Sequence, residues 1–200
     1  MQQLTNIMLG LKLSTDPRWV DIAGKNISEI LTDHAWCEQK AASAGISLIV
    51  LHPDKQELVN AMRLLVNEEW NHFERVLDEI TSRGLTLGPA RKDEYVIQLN
   101  KLERGGGSIE RRLMDRLLIN ALIEARSCER FKLLHQHIED PGLKNFYYEL
   151  MVSEAGHYRT LLDLAKLYNN PETVKNRWEE MLVAEAEIMA SLEIRADRVH

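Results

Sequence analysis

Cysteine is nearly missing from this 200-residue chain: only Cys37 and Cys128 occur. Two such thiols give no disulfide framework, and each is expected to serve as a small buried hydrophobe. Without a Cys-x-x-Cys pair there is no rubredoxin module, and no flavin motif appears either. Proline (5) and aromatic residues (6%) are scarce, and glycine numbers only 10, a composition that suits helices. No stretch of about 18 consecutive apolar residues is present, which excludes a membrane-spanning helix. The first residues, Met1-Gln2-Gln3-Leu4-Thr5-Asn6, lack a basic region followed by an apolar run. No secretion signal is read there, and a reducing cytoplasm is the expected location. Positive charge is in deficit too, with 25 Lys and Arg against 31 Asp and Glu and a net charge of −6. That balance argues against indiscriminate nucleic-acid binding through overall charge, though a local basic patch remains compatible with it.

What is present is helix. An apolar content of 44% over this length fits one domain, residues 1–200, with a substantial core. Asp16-Pro17 starts a short segment, and a long helix is expected from about Lys25 to Leu51. Pro53, Pro141 and Pro171 each mark a helix start, because the first helical position needs no N–H. Asp140 and Asn170 precede two of them as natural N-caps. The second helix then runs from about Pro53 to Arg83 and stops at Gly84. A crossover from Gly84 to Gly107 carries a short helix near Glu94 to Leu102. Further helices are expected at Ser108–Ile138, Pro141–Tyr168 and Glu172 to about Ile194, with no strand signal. Short links make two antiparallel hairpins, and the long one returns the chain. The expected class is therefore all-α: a ferritin-like four-helix bundle with one long crossover plus additional short and C-terminal helices.

Two Glu-x-x-His pairs sit in those helices, Glu69 with His72 and Glu154 with His157. Residues three apart share a helix face, so each pair can point at one metal ion. Each pair follows a lone glutamate: Glu38 lies 31 residues before Glu69 (69 minus 38), and Glu124 lies 30 before Glu154 (154 minus 124). The two sets repeat at an offset of 86 for the lone glutamates (124 minus 38) and 85 for the pairs (154 minus 69). Two single glutamates plus two Glu-x-x-His pairs form the ligand set of a carboxylate-bridged di-metal centre. Glu38 and Glu124 are expected as terminal ligands, with Glu69 and Glu154 bridging. Four carboxylates against two divalent ions leave a neutral site, which makes burial tolerable. Hard oxygen ligands with a minority of imidazole suit iron or manganese rather than a closed tetrahedral zinc site.

A lone Glu or His in a helix is ordinarily on a solvated face. The surroundings argue otherwise here: Glu38 lies among Ala35-Trp36-Cys37 and Ala41-Ala42, and Glu124 among Ala121-Leu122-Ile123 and Ala125. Glu68 has no histidine three residues on, and Glu129 falls on a different face from Glu124, so neither is chosen. His34, one turn before Glu38, is expected as a satisfied structural histidine, with a pocket or outer-sphere role as the other reading. His52, His135, His137 and His200 read as surface or packing residues, and Tyr158 as packing.

Several segments carry a resemblance to a known family. They are Glu38-Gln39-Lys40-Ala41-Ala42, Glu68-Glu69-Trp70-Asn71-His72-Phe73, Glu124-Ala125-Arg126-Ser127-Cys128-Glu129-Arg130-Phe131 and Ser153-Glu154-Ala155-Gly156-His157-Tyr158. In these the chain resembles the tRNA-(2-methylthio-N6-isopentenyladenosine) hydroxylases, from about Leu31 to Glu193. The resemblance implies a non-haem di-iron monooxygenase that uses O2 and external electrons to hydroxylate the isopentenyl group of a tRNA base beside the anticodon. Its catalytic residues would be the six ligands Glu38, Glu69, His72, Glu124, Glu154 and His157. An external reductase or ferredoxin-like protein would supply electrons, and the protein would be a monomer or dimer. For tRNA contact the candidates are Lys101, Arg104, Arg111, Arg112 and Arg116 around Gly105-Gly106-Gly107, with Glu103 and Glu110 at hand to pair with them. Other readings of the ligand pattern are a small-molecule di-metal oxidase or peroxidase and a non-enzymatic iron-storage protein.

Overall fold

The computed structural model describes residues 8–195 and 197–199, and no strand occurs among them. A 3-10 turn, Met8–Gly10, precedes α1 (Arg18–Ala23), α2 (Ile27–Leu51), α3 (Gln56–Ser82), α4 (Glu94–Asn100), α5 (Ile109–His137), α6 (Pro141–Tyr168) and α7 (Pro171–Ser191). The expected helices are all present. Asp140 accepts from the Gly142 and Leu143 amides, Asn170 accepts from Glu172 and Thr173, and both prolines begin their helices. His200 and the Met1–Asn6 segment lie outside the described residues.

Two boundaries differ from expectation. Pro53 does not open α3; the helix begins at Gln56. The Lys55 amide donates to the His52 carbonyl at 3.1 Å, closing a turn with Pro53 at its second position. A proline's fixed φ serves that position as well as a helix start. The last helix ends at Ser191, where the Leu192 amide reaches back to Met189, rather than continuing to Ile194.

The chain divides into two compact units, and the boundary falls within α1. One unit holds Asp21–Lys92 with Arg195–Val199, and its body is the antiparallel pair α2–α3. The buried positions of α3 are Leu58, Met62, Leu65, Glu69, His72, Val76 and Ile80, a run spaced by three and four. That is the stripe a helix presents to a core. Gly84, with φ 70, ends α3 and lets the Leu85 amide return to the Ile80 carbonyl. The segment after it is laid along α2 at three successive turns. Thr32 accepts from the Gly88 amide, the Trp36 indole donates to the Gly88 carbonyl at 2.9 Å, and Lys40 donates to the Arg91 carbonyl. A Cβ at Gly88 would meet the Thr32 methyl at 3.1 Å, so the close approach favours glycine. The Val199 amide donates to buried Asp33 at 2.7 Å, fastening residues 197–199 to the same helix.

The other unit takes in Asp93–Ile194 and the described residues preceding α1, and its body is the antiparallel pair α5–α6. On α6 the buried stripe runs Leu143, Phe146, Tyr147, Leu150, Glu154, His157, Leu161, Leu164 and Ala165. The interior of this unit also holds a charged cluster. Arg126, fully buried, donates to Glu185 Oε1 through Nε at 3.0 Å and Nη2 at 2.6 Å. It also donates to the Leu13 carbonyl at 3.0 Å and pairs with Glu129. Thr15 donates to Glu129 through its hydroxyl at 2.6 Å, and Tyr95 donates to Glu185 at 3.0 Å. Arg130 lies over the Trp19 ring at 4.4 Å, and burial with the neighbouring Arg126 charge holds its pKa down to about 10. These bonds tie α5 to α4, α7 and the segment around Thr15.

Removing one partner from such a cluster strands a buried charge. Glu185→Leu is expected to lower unfolding free energy by about 3 kcal/mol in urea titration, and adding Arg126→Met to recover much of that loss.

Candidate metal centre

Each hairpin brings two buried glutamates and a histidine together. In α2–α3, the Glu-x-x-His spacing puts Glu69 and His72 on the buried stripe of α3, and Glu38 occupies the buried face of α2. All three side chains are almost wholly inaccessible. His72 Nδ1 lies 3.6 Å from Glu38 Oε2 and 3.6 Å from Glu69 Oε2. One ligand atom from each of Glu38, Glu69 and His72 falls within 4.8 Å of the others. His34, with no accessible surface, places Nε2 2.6 Å from Glu38 Oε1. His34 thus lies one turn from Glu38 on the same face and bonds its carboxylate.

In α5–α6 the arrangement repeats. Glu154 and His157 sit on the buried stripe of α6, with His157 Nδ1 3.0 Å from Glu154 Oε2. Glu124 is buried on α5, and the ligand atoms of Glu124, Glu154 and His157 also fall within 4.8 Å of one another. Both histidines turn Nδ1 toward the glutamate three residues earlier. Glu129, five residues from Glu124 and so about 140° around the helix, joins Thr15 and Arg126 instead. Cys128 donates to the Met151 carbonyl at 3.2 Å. Burial, reinforced by the Glu154 and Glu124 charges, pushes its thiol up to about 12, so it stays neutral and packs as a small hydrophobe.

Two buried carboxylates beside an imidazole in each hairpin form an oxygen-rich, hard donor set. Packed this closely away from water, carboxylates are costly unless a cation lies among them. The residues present therefore fit iron or manganese, one ion's worth of terminal carboxylate and imidazole per hairpin.

The basic residues around the triple glycine are not equivalent. Asp115 has no accessible surface, and Arg104 clamps it through Nε at 2.9 Å, Nη2 at 2.7 Å and the backbone amide at 3.0 Å, with Arg177 adding a bond at 3.0 Å. Burial would push Asp115 up, but these bonds hold its carboxyl below the usual range. Arg116 pairs with Glu103 at 3.1 Å. Lys101, Arg111 and Arg112 face solvent. Arg104 and Arg116 thus serve internal ion pairs, the first with a buried aspartate that composition gave no reason to single out. His135 bonds the Lys144 carbonyl at 2.9 Å and His137 is exposed, whereas His52 is buried. Tyr158 donates to the Leu9 carbonyl at 3.0 Å and packs near Trp178, a structural contact.

Helical hairpins with duplicated carboxylate–histidine sets that could hold a metal define an all-helical protein of the ferritin-like class. Within that class the chain belongs to the family described as tRNA-(MS[2]IO[6]A)-hydroxylase (MiaE), whose model matches residues 2–200. A relative from Pseudomonas putida (strain KT2440), the tRNA 2-(methylsulfanyl)-N(6)-isopentenyladenosine(37) hydroxylase, is 37% identical over 191 residues, which is 96% of this chain and 92% of the relative. A protein of the same description from Salmonella typhimurium (strain LT2) is 28% identical over 82% of this chain and 78% of its own. Among solved structures, "Protein 43 with aldehyde deformylating oxygenase activity from Synechococcus" superposes with a TM-score of 0.89 at 35% identity, covering 95% of this chain and 94% of that one. The all-α, ferritin-like class expected from the sequence is borne out.

Proposed function

We propose that this protein is an O2-dependent monooxygenase that hydroxylates the isopentenyl side chain of 2-methylthio-isopentenyladenosine beside the tRNA anticodon. Family membership across nearly the whole chain, with all six ligand positions occupied by carboxylate or imidazole, carries this reading. The protein would hold two iron ions, with Glu38, Glu69 and His72 of α2–α3 and Glu124, Glu154 and His157 of α5–α6 as the residues that would bind them.

Bound iron would supply the reductive activation of oxygen that an unactivated C–H bond requires. The rest falls to the chain. The six buried side chains fix the ligand geometry before metal arrives, and the apolar stripes of α3 and α6 keep water away from them. Electrons enter from a separate reductase or ferredoxin-like protein, since the sequence carries no flavin or iron–sulfur motif of its own. No helix among the described residues is long and apolar enough to cross a membrane, in keeping with a cytoplasmic enzyme acting on tRNA as a monomer or dimer.

A base beside the anticodon lies in a single-stranded loop, where it can be splayed into a protein site. Phosphate contacts then need cations free of internal duties. Arg111 and Arg112 meet that condition on the α5 approach, Lys101 is exposed but donates to Gln98 at 2.9 Å, and Arg104 and Arg116 contribute by shaping it.

Incubating the iron-loaded protein with reductant, oxygen and tRNA that bears the methylthio-isopentenyl nucleoside is expected to raise that nucleoside's mass by one oxygen atom. Mass spectrometry of the digested tRNA reads the gain, Glu69→Ala should abolish it, and an unchanged nucleoside with fully iron-loaded protein contradicts the reading. The double variant Arg111→Ala/Arg112→Ala should bind tRNA more weakly and reduce the salt slope of the binding constant by about 2. Equal affinity and slope at low salt would remove this surface from the interface.

A further inference from the structure

The two half-sites repeat in sequence and in geometry, but one difference in their surroundings lies directly against a glutamate of the set. At the offset that relates Glu38 to Glu124 (124 minus 38), the counterpart of His34 is residue 120 (34 plus 86), which is Asn120. His34 is buried and bonds Glu38 Oε1 at 2.6 Å. Asn120 is half-buried and donates its amide to the Arg116 carbonyl of its own helix at 2.8 Å. An imidazole therefore holds the lone glutamate of one hairpin, and the matching place in the other hairpin has a side chain bonded to its own backbone.

We propose that His34 is a positioning residue that fixes Glu38 as a one-oxygen metal ligand and makes the two metal positions of this protein inequivalent. This inference rests on the di-metal reading above. The geometry is specific about the oxygen. Oε1 is engaged by His34 Nε2, while Oε2 is the oxygen that faces His72 Nδ1 at 3.6 Å. A carboxylate held by one oxygen presents the other in a single orientation and resists rotating to bind through both. His34 itself is anchored because Asp33, its neighbour on α2, takes the Val199 amide at 2.7 Å, and Thr32 takes the Gly88 amide. That turn of α2 cannot rotate without breaking both contacts. Glu38 is thus set by a chain of backbone-anchored bonds, and the metal it serves should bind in a half-site preorganised through His34.

The test is equilibrium dialysis of the full chain, wild type and variants, against graded ferrous iron without oxygen, counting iron bound per chain. Wild type is expected to bind two ions. His34→Leu removes the hydrogen bond while filling the same space, and should weaken one of the two ions by about 10–100-fold and leave the other unchanged. His34→Gln, which can still donate to Glu38, should recover most of that loss, a rescue that a purely packing role would not produce. Circular dichroism monitors helical content; should His34→Leu lose it, His34→Asn, which transplants the residue of the other hairpin, reads the same effect. Two ions bound by His34→Leu with wild-type affinity overturn the proposal while leaving the di-metal reading intact. A wild-type protein that cannot bind two ions overturns both.

Discussion

Acidic side chains in the middle of apolar stripes are the constraint from which the rest of this molecule follows. On α3 the buried series passes from Leu65 through Glu69 and His72 to Val76, and on α6 from Leu150 through Glu154 and His157 to Leu161. A hydrophobic residue at each of those four places would give an ordinary helical core. Carboxylates there are stable only if positive charge joins them inside the protein. Their burial fits a cation, and the closeness of the side-chain oxygens and imidazole in each hairpin marks where one could be held.

The same chain neutralises other buried carboxylates differently, and the contrast separates structure from chemistry. Glu185, Glu129 and Asp115 are each met by arginine, from Arg126, Arg104 and Arg177. Those pairs lock α4, α5 and α7 together and leave no room for an ion's coordination. Helix α5 carries both solutions. Glu124 faces one way, beside Glu154 and His157, and Arg126 with Glu129 faces another. The period of 3.6 residues is what allows a metal ligand and a structural ion pair to sit within five residues without interfering.

Much of this was legible in the sequence, because its physics is local. Helix caps at Asp140 and Asn170, the stop at Gly84 and the spacing within each Glu-x-x-His pair depend on neighbours a few residues away. The choice of Glu124 over Glu129 followed from helix phase, and the structure gives Glu129 a separate role. What escaped was long-range or ambiguous. Glu185 looks like any glutamate in an exposed, Ala-rich helix; only the fold brings it to Arg126, 59 positions away. Arg116 takes Glu103, a pairing the sequence offered, whereas the partner of Arg104, buried Asp115, is chosen by tertiary contact. Pro53 misled because a proline fits a turn and a helix start equally well.

The central claim is that the buried carboxylate–imidazole set of each hairpin holds a metal ion. Anomalous X-ray scattering at the iron edge, from crystals of the iron-loaded protein, tests it most directly. The account predicts two iron ions per chain, one beside Glu38, Glu69 and His72 and the other beside Glu124, Glu154 and His157. Iron missing from either set of residues would contradict it.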